Sequence, residues 1–265
     1  MSYGVYYVYL KWISKDPTEC ACSGRYHLCF PSRYDADEFY RTMQTVKSNG
    51  KPYFTSLTRL SPQFWGYDSG DRKESLMNVQ TKGLVKDFRE RLSATWIHNL
   101  HEGYVSPLPN QVSGPDWLSG GYFYIRNRRQ PSLYWWVHGQ HVHASEKRRT
   151  KFRIELCEQV PDISNNSPVV LVRKDKVQVE VVPETATPTY VIDSRQYLGI
   201  PINSSPNTTP YVILSSTPYH WIFEDLVCKK IGVRWRNEKQ DSGSFKEDPL
   251  LVLTGVPGAD EWELC

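Results

Sequence analysis

The segment from Pro131 to His143 concentrates side chains that are suited to ligand binding. Its Gly139-Gln140 pair predicts a tight turn between two short strands. Because side chains alternate between the two faces of a strand, we expect one of Trp135 and Trp136 to enter a core and the other to face outward. An exposed aromatic ring beside polar side chains suits a sugar, whose apolar face packs on the ring while its hydroxyls find hydrogen-bond partners. The candidate ligand-binding residues are Tyr134, Trp135, Trp136, His138, Gln140 and His141.

The same segment has two alternative interpretations. Its aromatic residues also fit a purely structural role, filling the interior of a small barrel. His141 and His143 share a strand face and His138 lies across the turn, which is a trio that could ligate zinc or copper. No carboxylate or cysteine lies at a matching local spacing, however. We therefore predict neither a metal nor a cofactor.

Basic residues flank the aromatic segment on both sides. Such residues interleaved with Tyr and Trp can bind RNA or single-stranded DNA. The whole chain nevertheless carries a formal net charge of only +3, and Lys or Arg at turns is typical of solvated strand edges. Nucleic acid is therefore not an expected partner, whereas a sulfated or sialylated glycan also suits these charges. The basic residues are Arg126, Arg128, Arg129, Lys147, Arg148, Arg149, Lys151 and Arg153.

Enzyme motifs are scarce in this chain. It contains no phosphate-binding loop, no dinucleotide-binding glycine pattern and no Gly-x-Ser-x-Gly turn. Cys22 or Cys29 near His27 is the nearest approach to a nucleophile and base, and a polar loop spans residues 67–74. No catalytic residue is identified, and an enzyme with its chemistry in the N-terminal part or at a domain interface stays an open alternative.

The first 104 residues contain the segments with a helical period. Residues 5–13, 25–30 and 52–60 are rich in β-branched and aromatic side chains and predict strands. Asp35 is the predicted N-cap of a helix that closes at Asn49-Gly50. Apolar residues spaced four apart predict a second helix from Thr81 to His101. This order predicts a small α+β domain at residues 1–104.

Residues 105–117 are rich in Pro, Ser and Gly and predict a linker. Residues 118–265 then contain twelve short candidate strands separated by turns. A polar-aromatic closing pattern recurs at residues 151–155, 220–224 and 261–264. Three such strands among twelve predict a threefold all-β β-trefoil, with an insertion near residues 201–210.

Residues 121–127, 133–135 and 152–154 resemble the first repeat of fungal β-trefoil proteins, the ricin-B-like mushroom lectins and the trefoil protease inhibitors of basidiomycetes. The resemblance covers residues 118–265 and implies a β-trefoil fold. The Gln-x-Trp signature of ricin-type lectins is replaced by Lys-Phe, His-Trp and Glu-Trp at the three closing positions. The resemblance therefore implies the fold more directly than any particular sugar site.

These observations together predict a two-domain, lectin-like carbohydrate-binding protein of fungal type with a role in defence. Its expected partner is a glycan or glycoprotein, and homo-oligomerisation would raise its avidity. The alternative is a protease inhibitor, with a protease as partner and residues 203–210 as the inhibitory loop. No run of about 18 apolar residues predicts a membrane span, and the N-terminus lacks the pattern of a secretory signal, so we predict a cytoplasmic location.

Overall fold

A computed structural model gives a mostly β protein whose chain divides into two compact units. Unit 1 comprises Met1–Asp116 together with Val160–Val172, and unit 2 comprises Trp117–Gln159 and Arg173–Cys265. Residues 160–172 therefore belong to unit 1, whereas the sequence predicts them in the second domain. The residues that the structure describes are 5–13, 24–68, 76–97, 114–163, 168–183, 195–201, 210–228, 230–234, 248–253 and 261–265.

Unit 1 is built on a five-stranded sheet in the order β5-β6-β1-β2-β7. The β1–β6 pair is parallel and the other neighbours are antiparallel. The predicted strands at residues 5–13 and 25–30 are confirmed as β1 and β2, whereas β6 was missed. The elements of unit 1 are β1 (Tyr6–Trp12), β2 (Arg25–Phe30), α1 (Arg33–Thr45), β3 (Lys47–Ser48), β4 (Lys51–Pro52), β5 (Ser56–Ser61), β6 (Phe64–Asp68), α2 (Leu76–Thr81), a 3-10 turn (Lys86–Phe88) and β7 (Ser93–Trp96).

Helix α1 begins earlier and ends earlier than the sequence predicts. Its N-cap is Ser32, whose hydroxyl accepts a hydrogen bond from the backbone N–H of Asp35 at 3.3 Å. Asp35, the predicted N-cap, therefore lies in the first helical turn. Asn49 and Gly50 do not close the helix, because both have positive φ, 52° and 77°, and form the two-residue turn between β3 and β4.

The predicted helix from Thr81 to His101 is wrong. Helix α2 ends at Thr81, and Gly83 with φ 68° turns the chain away from it. The last described residues of this stretch form β7, which pairs with β2 from Tyr26↔Trp96 to Cys29↔Ser93. This pairing satisfies the backbone hydrogen-bonding groups along one edge of β2. It depends on residues far apart in the sequence, so the helical spacing of apolar residues could not predict it.

All the strands of unit 2 belong to one twelve-stranded network. Strand β12 pairs with β8 and β13, β13 with β16, and β9 with β19. Strands that follow one another along the chain also pair antiparallel in β10–β11, β14–β15 and β17–β18. The elements are β8 (Gly121–Phe123), β9 (Ile125–Asn127), β10 (Tyr134–His138), β11 (His141–Ser145), β12 (Lys151–Leu156), β13 (Lys176–Val182), β14 (Tyr197–Gly199), β15 (Ile213–Ser215), β16 (Trp221–Ile222), α3 (Phe223–Val227), β17 (Ile231–Arg234), β18 (Leu250–Leu253) and β19 (Trp262–Leu264).

Most of the twelve candidate strands predicted in residues 118–265 coincide with these elements, but β14 was not predicted and the single candidate at residues 122–126 is divided between β8 and β9. Three further candidates, predicted at residues 169–172, 190–192 and 221–223, do not coincide fully with a described strand. Residues 169–172 are not in a named strand and belong to unit 1. The candidate at 221–223 stops at Ile222, because α3 begins at Phe223. The candidate at 190–192 lies outside the described residues.

Large aromatic side chains form the interior of unit 2. Trp135 makes edge-to-face contacts with Phe152 and Trp262, at ring-centroid distances of 6.1 and 5.5 Å. The buried indole N–H groups of Trp221 and Trp262 donate to the carbonyls of Leu198 and Ile231 at 2.9 and 2.8 Å. Within the described part of the chain, no helix has the length and apolar character that crossing a membrane requires.

Candidate functional site

The β10–β11 hairpin carries all six predicted ligand-binding residues. A two-residue turn joins its strands, with Gly139 at φ 57°, a conformation that a side chain would strain. Its register pairs Trp136 with His143 and His138 with His141. Paired residues share a face, so Tyr134, Trp136, His138 and His141 lie on one side of the hairpin. We call this side the hairpin face.

Trp135 is not on the hairpin face and is therefore not available to a ligand. Its side chain is fully buried, on the inner side of the hairpin with Val142 and Ala144. This corrects its assignment as a ligand contact, while the expected opposite orientation of the two tryptophans is confirmed. The indole Nε1 of Trp135 has no hydrogen-bond partner among the described residues. The core thus holds the strand that presents Trp136.

Trp136 is half-buried and is packed against other side chains of the hairpin face. The exposed His138 ring stacks on it at 4.8 Å with an interplanar angle of 19°. The buried His143 ring lies 5.7 Å away, and the Arg148 guanidinium lies over the indole at 4.3 Å. These contacts hold the Trp136 ring in place and cover part of its π-surface.

A second aromatic pair continues the hairpin face. The Tyr124 and Tyr134 rings meet edge to face at 6.5 Å. The Arg149 guanidinium lies over Tyr124 at 4.3 Å and over Tyr134 at 5.6 Å, and the Lys151 ammonium lies 5.3 Å from the Tyr124 ring centre. The surface thus alternates aromatic rings with cations, a pattern that combines apolar packing with charge.

The turn that carries these cations is fixed to the hairpin. The Ser145 hydroxyl accepts from the backbone N–H groups of Lys147 and Arg148, each at 3.3 Å. The buried Thr150 hydroxyl accepts from the Val137 N–H at 2.9 Å, and the Thr150 N–H donates to the Trp135 carbonyl at 2.9 Å. The backbone of residues 145–150 is therefore positioned before any ligand arrives.

The basic residues of the face fall into two groups. Arg126 pairs with Glu263 at 2.6 Å, and that hydrogen bond raises the pKa of Arg126. Arg128 lies 3.7 Å from carboxylate oxygens of Glu261 and Glu263. Across the described ranges, the second group, Arg148, Arg149 and Lys151, has aromatic rings rather than carboxylates as side-chain partners. The nearby Glu146 carboxylate is hydrogen-bonded by the Gln130 amide.

The remaining predicted residues lie at the tip of the hairpin. Gln140 is exposed, and its carbonyl accepts from the Leu214 N–H at 3.0 Å. His141 is half-buried and meets Tyr211 edge to face at 6.2 Å. The structure therefore brings five of the six predicted residues to the hairpin face or its tip.

The three histidines of the hairpin are close but do not converge as metal ligands. His138 and His143 have ring centroids 6.1 Å apart. The Nδ1 of His143 is 2.8 Å from the Asp248 carbonyl oxygen, so the backbone already engages one ring nitrogen. Among the described residues, no group of three or more His, Cys, Asp or Glu side chains has an arrangement that would hold a metal ion.

The proposed thiol nucleophile lies in an unfavourable environment. His27 and Cys29 are two residues apart on β2, so they share a face. Burial raises the pKa of the Cys29 thiol and lowers that of His27. Both shifts favour the neutral forms, whereas an active nucleophile requires a thiolate. Cys22 and most of the loop at residues 67–74 lie outside the described residues.

Sequence reasoning missed a buried ionic cluster in unit 1. The Arg59 side chain, 2% exposed, donates through Nε to Asp116 at 2.7–2.8 Å and through NH2 to Asp37 at 2.6 Å. Its guanidinium also lies over the Tyr40 and Trp65 rings at 5.1 and 5.4 Å. Burial raises the pKa of Asp37, an effect that the Arg59 charge opposes. We assign this cluster to stability, because its groups bind one another.

No protein-family model matches this chain, and no curated protein matches it.

Proposed function

We propose that this chain is a lectin-like carbohydrate-binding protein that binds its glycan on the hairpin face of a β-trefoil unit. The observation that carries the proposal is the placement of Trp136, held by His138 and Arg148 at the surface while Trp135 anchors the same strand in the core. A rigid aromatic ring with polar neighbours is the arrangement that sugar recognition requires.

The pairings within unit 2 support the trefoil part of the proposal. The β9–β19 pair links the beginning of the unit to its end, and β8–β12, β12–β13 and β13–β16 continue the strand order as a barrel wall does. The aromatic residues of the three closing patterns, Phe152, Trp221 and Trp262, are all buried, as equivalent positions of a repeat should be. The resemblance to fungal trefoil lectins points in the same direction.

The chemistry of binding follows from the partners that the face offers. The half-buried Trp136 and Tyr134 side chains provide apolar contact, and His138, Gln140 and His141 provide hydrogen bonds to hydroxyl groups. Such a small site binds weakly, and a glycoprotein that presents several copies would raise the apparent affinity. The protease-inhibitor alternative relies on residues 203–210, nearly all of which lie outside the described residues, so no observed geometry favours it.

The proposal is tested by screening the whole chain on a glycan array at physiological salt. We expect a defined set of glycans to bind and the Trp136→Ala variant to lose them, with unchanged circular dichroism. Trp96→Ala is the matched control, because Trp96 in unit 1 is also exposed, at 51%. An array without binding, or loss of binding in both variants, would refute the assignment.

A further inference from the structure

The hairpin face carries positive charge that its own carboxylates do not balance. Arg126 and Arg128 are neutralised by Glu261 and Glu263. Arg148, Arg149 and Lys151 instead lie over aromatic rings, with no carboxylate within ion-pair distance in the described part of the chain. The chain as a whole is close to neutral, at +3, so this charge is a local property of one surface.

From this imbalance we infer that the ligand of the hairpin face is an anionic glycan, whose sulfate or carboxylate groups bind Arg148, Arg149 and Lys151. The inference rests on the proposed carbohydrate-binding function and narrows it to one class of ligand. A guanidinium whose central carbon lies over a ring still has N–H donors at its edge, and these match the oxygens of a sulfate or carboxylate. The ring contact also restricts the arginine side chain before binding, so less conformational entropy is lost when the anion binds.

The turn geometry strengthens the inference. Ser145 and Thr150 fix the backbone on both sides of Arg148 and Arg149. Both arginines are exposed, so an approaching anion meets their charges without displacing protein groups. A positioned pair of cations binds an anion better than the same charges on a mobile loop, because less conformational freedom is lost.

Nucleic acid is a poorer match for this surface. Single-strand binding proteins stack bases on open aromatic faces. Here the Trp136 ring is engaged by His138 and Arg148, and the tyrosine pair by Arg149. Compact anionic groups on a sugar can use the cations without needing those ring faces.

The test uses an array on which neutral, sulfated and sialylated forms of the same core glycans are printed together, followed by titration of the best matched pair. We expect an acidic form to bind about 10-fold more tightly than its neutral counterpart. The Arg148→Gln/Arg149→Gln variant should lose that preference, so that it binds the acidic and neutral forms of a matched pair equally, whatever its absolute affinity for them. Lys176→Gln is the charge control, since Lys176 is an exposed cation elsewhere in unit 2, 3.6 Å from Glu158.

The possible outcomes distinguish failure of the anionic-ligand inference from failure of the proposed carbohydrate-binding function. Equal binding of acidic and neutral forms would overturn the inference and leave the proposed function standing. An array without any binding would overturn both. Equally tight binding of a single-stranded DNA of matched charge would overturn the inference in favour of general polyanion binding. Retention of the preference in the double arginine variant would also overturn it, since other cations would then be responsible.

Discussion

Removing Arg59 should destabilise unit 1, because the Asp37 and Asp116 carboxylates would lose their nearest counter-charge and keep only Arg33, at 3.5 and 3.8 Å. The Asp37 and Arg59 side chains are 1% and 2% exposed, so water cannot replace the lost interaction. Truncating one partner of a buried ion pair costs about 3–5 kcal/mol, and we expect Arg59→Met to fall in that range. Met keeps an apolar side chain at this position but loses the guanidinium contacts with Tyr40 and Trp65, so the loss combines charge pairing with cation–π contact.

The expected loss corresponds to a large change in thermal stability. For a unit of about 130 residues, the average unfolding entropy converts 3–5 kcal/mol into a decrease in Tm of about 11–18 °C. Calorimetry of the whole chain would measure it, with the transition of unit 1 identified through hydrogen exchange of amides in β1 and β2. Arg89→Met is the control: Arg89 is exposed, and its loss should change stability by less than about 0.5 kcal/mol.

The pH dependence of the variant provides a second readout. Burial already raises the pKa of Asp37, and Arg59 opposes that shift, so without Arg59 the pKa should rise further. The folded variant then binds a proton more readily than the unfolded chain, and its stability falls as pH rises above the unfolded Asp pKa of about 3.9. The deficit relative to wild type should therefore shrink as pH is lowered toward 4. A deficit below about 1 kcal/mol, or one that does not change with pH, would refute the reasoning.

Two further predictions concern the cores of the units. Trp135→Ala should lower the free energy of unfolding by about 3–5 kcal/mol in denaturant titrations, because the indole is fully buried. Trp135→Phe should lower it much less, since it removes a buried N–H that has no partner in the described residues. Equal losses in the two variants would contradict this account. Burial raises the pKa of Tyr40 to about 12 and those of Tyr6 and Tyr67 well above their usual range, so the folded chain keeps protons that the unfolded chain loses near pH 10. Stability should decrease as pH rises from 10 toward 12, and absorbance titration at 295 nm should show tyrosines that ionise only on unfolding; complete ionisation of the folded chain near pH 10 would oppose it.

The predictability of each element depended on how local its determinants were. Enrichment in β-branched and aromatic residues located β1 and β2, and short runs of such residues between turns located β10 and β12. The predicted strand at residues 52–60 overlaps β5, but the hydrophobic pattern does not predict which of its side chains are buried, because Leu60 is 66% exposed and Arg59 points inward. No hydrophobic pattern predicts a buried arginine, since its position is decided by Asp37 and Asp116 from distant parts of the chain. Arg148 and Arg149 were recognised as basic, but their packing on aromatic rings depends on contacts between β9, β10 and the turn before β12.

Local sequence features predicted which residues share the hairpin face but not which side of the hairpin is buried. Turn chemistry at Gly139-Gln140 and strand alternation were sufficient to place Trp136 and His138 on one face. They could not decide which of Trp135 and Trp136 is buried, because that depends on which side of the hairpin meets Phe152 and Trp262. Alternation defines two faces, and only the rest of the fold determines which one is interior.

The assignment of Val160–Val172 to unit 1 has a consequence for synthesis of the chain on the ribosome. Within that unit, Arg41 and Gln44 donate to the Val170 and Pro168 carbonyls, and Lys47 pairs with Asp162 at 2.6 Å. Unit 1 therefore cannot be completed until residue 172 has been translated, by which point the strands β8–β12 of unit 2 have also been translated. Neither unit is a continuous stretch of sequence, so a protease cut near residue 116 would release an N-terminal fragment that lacks part of its own structure.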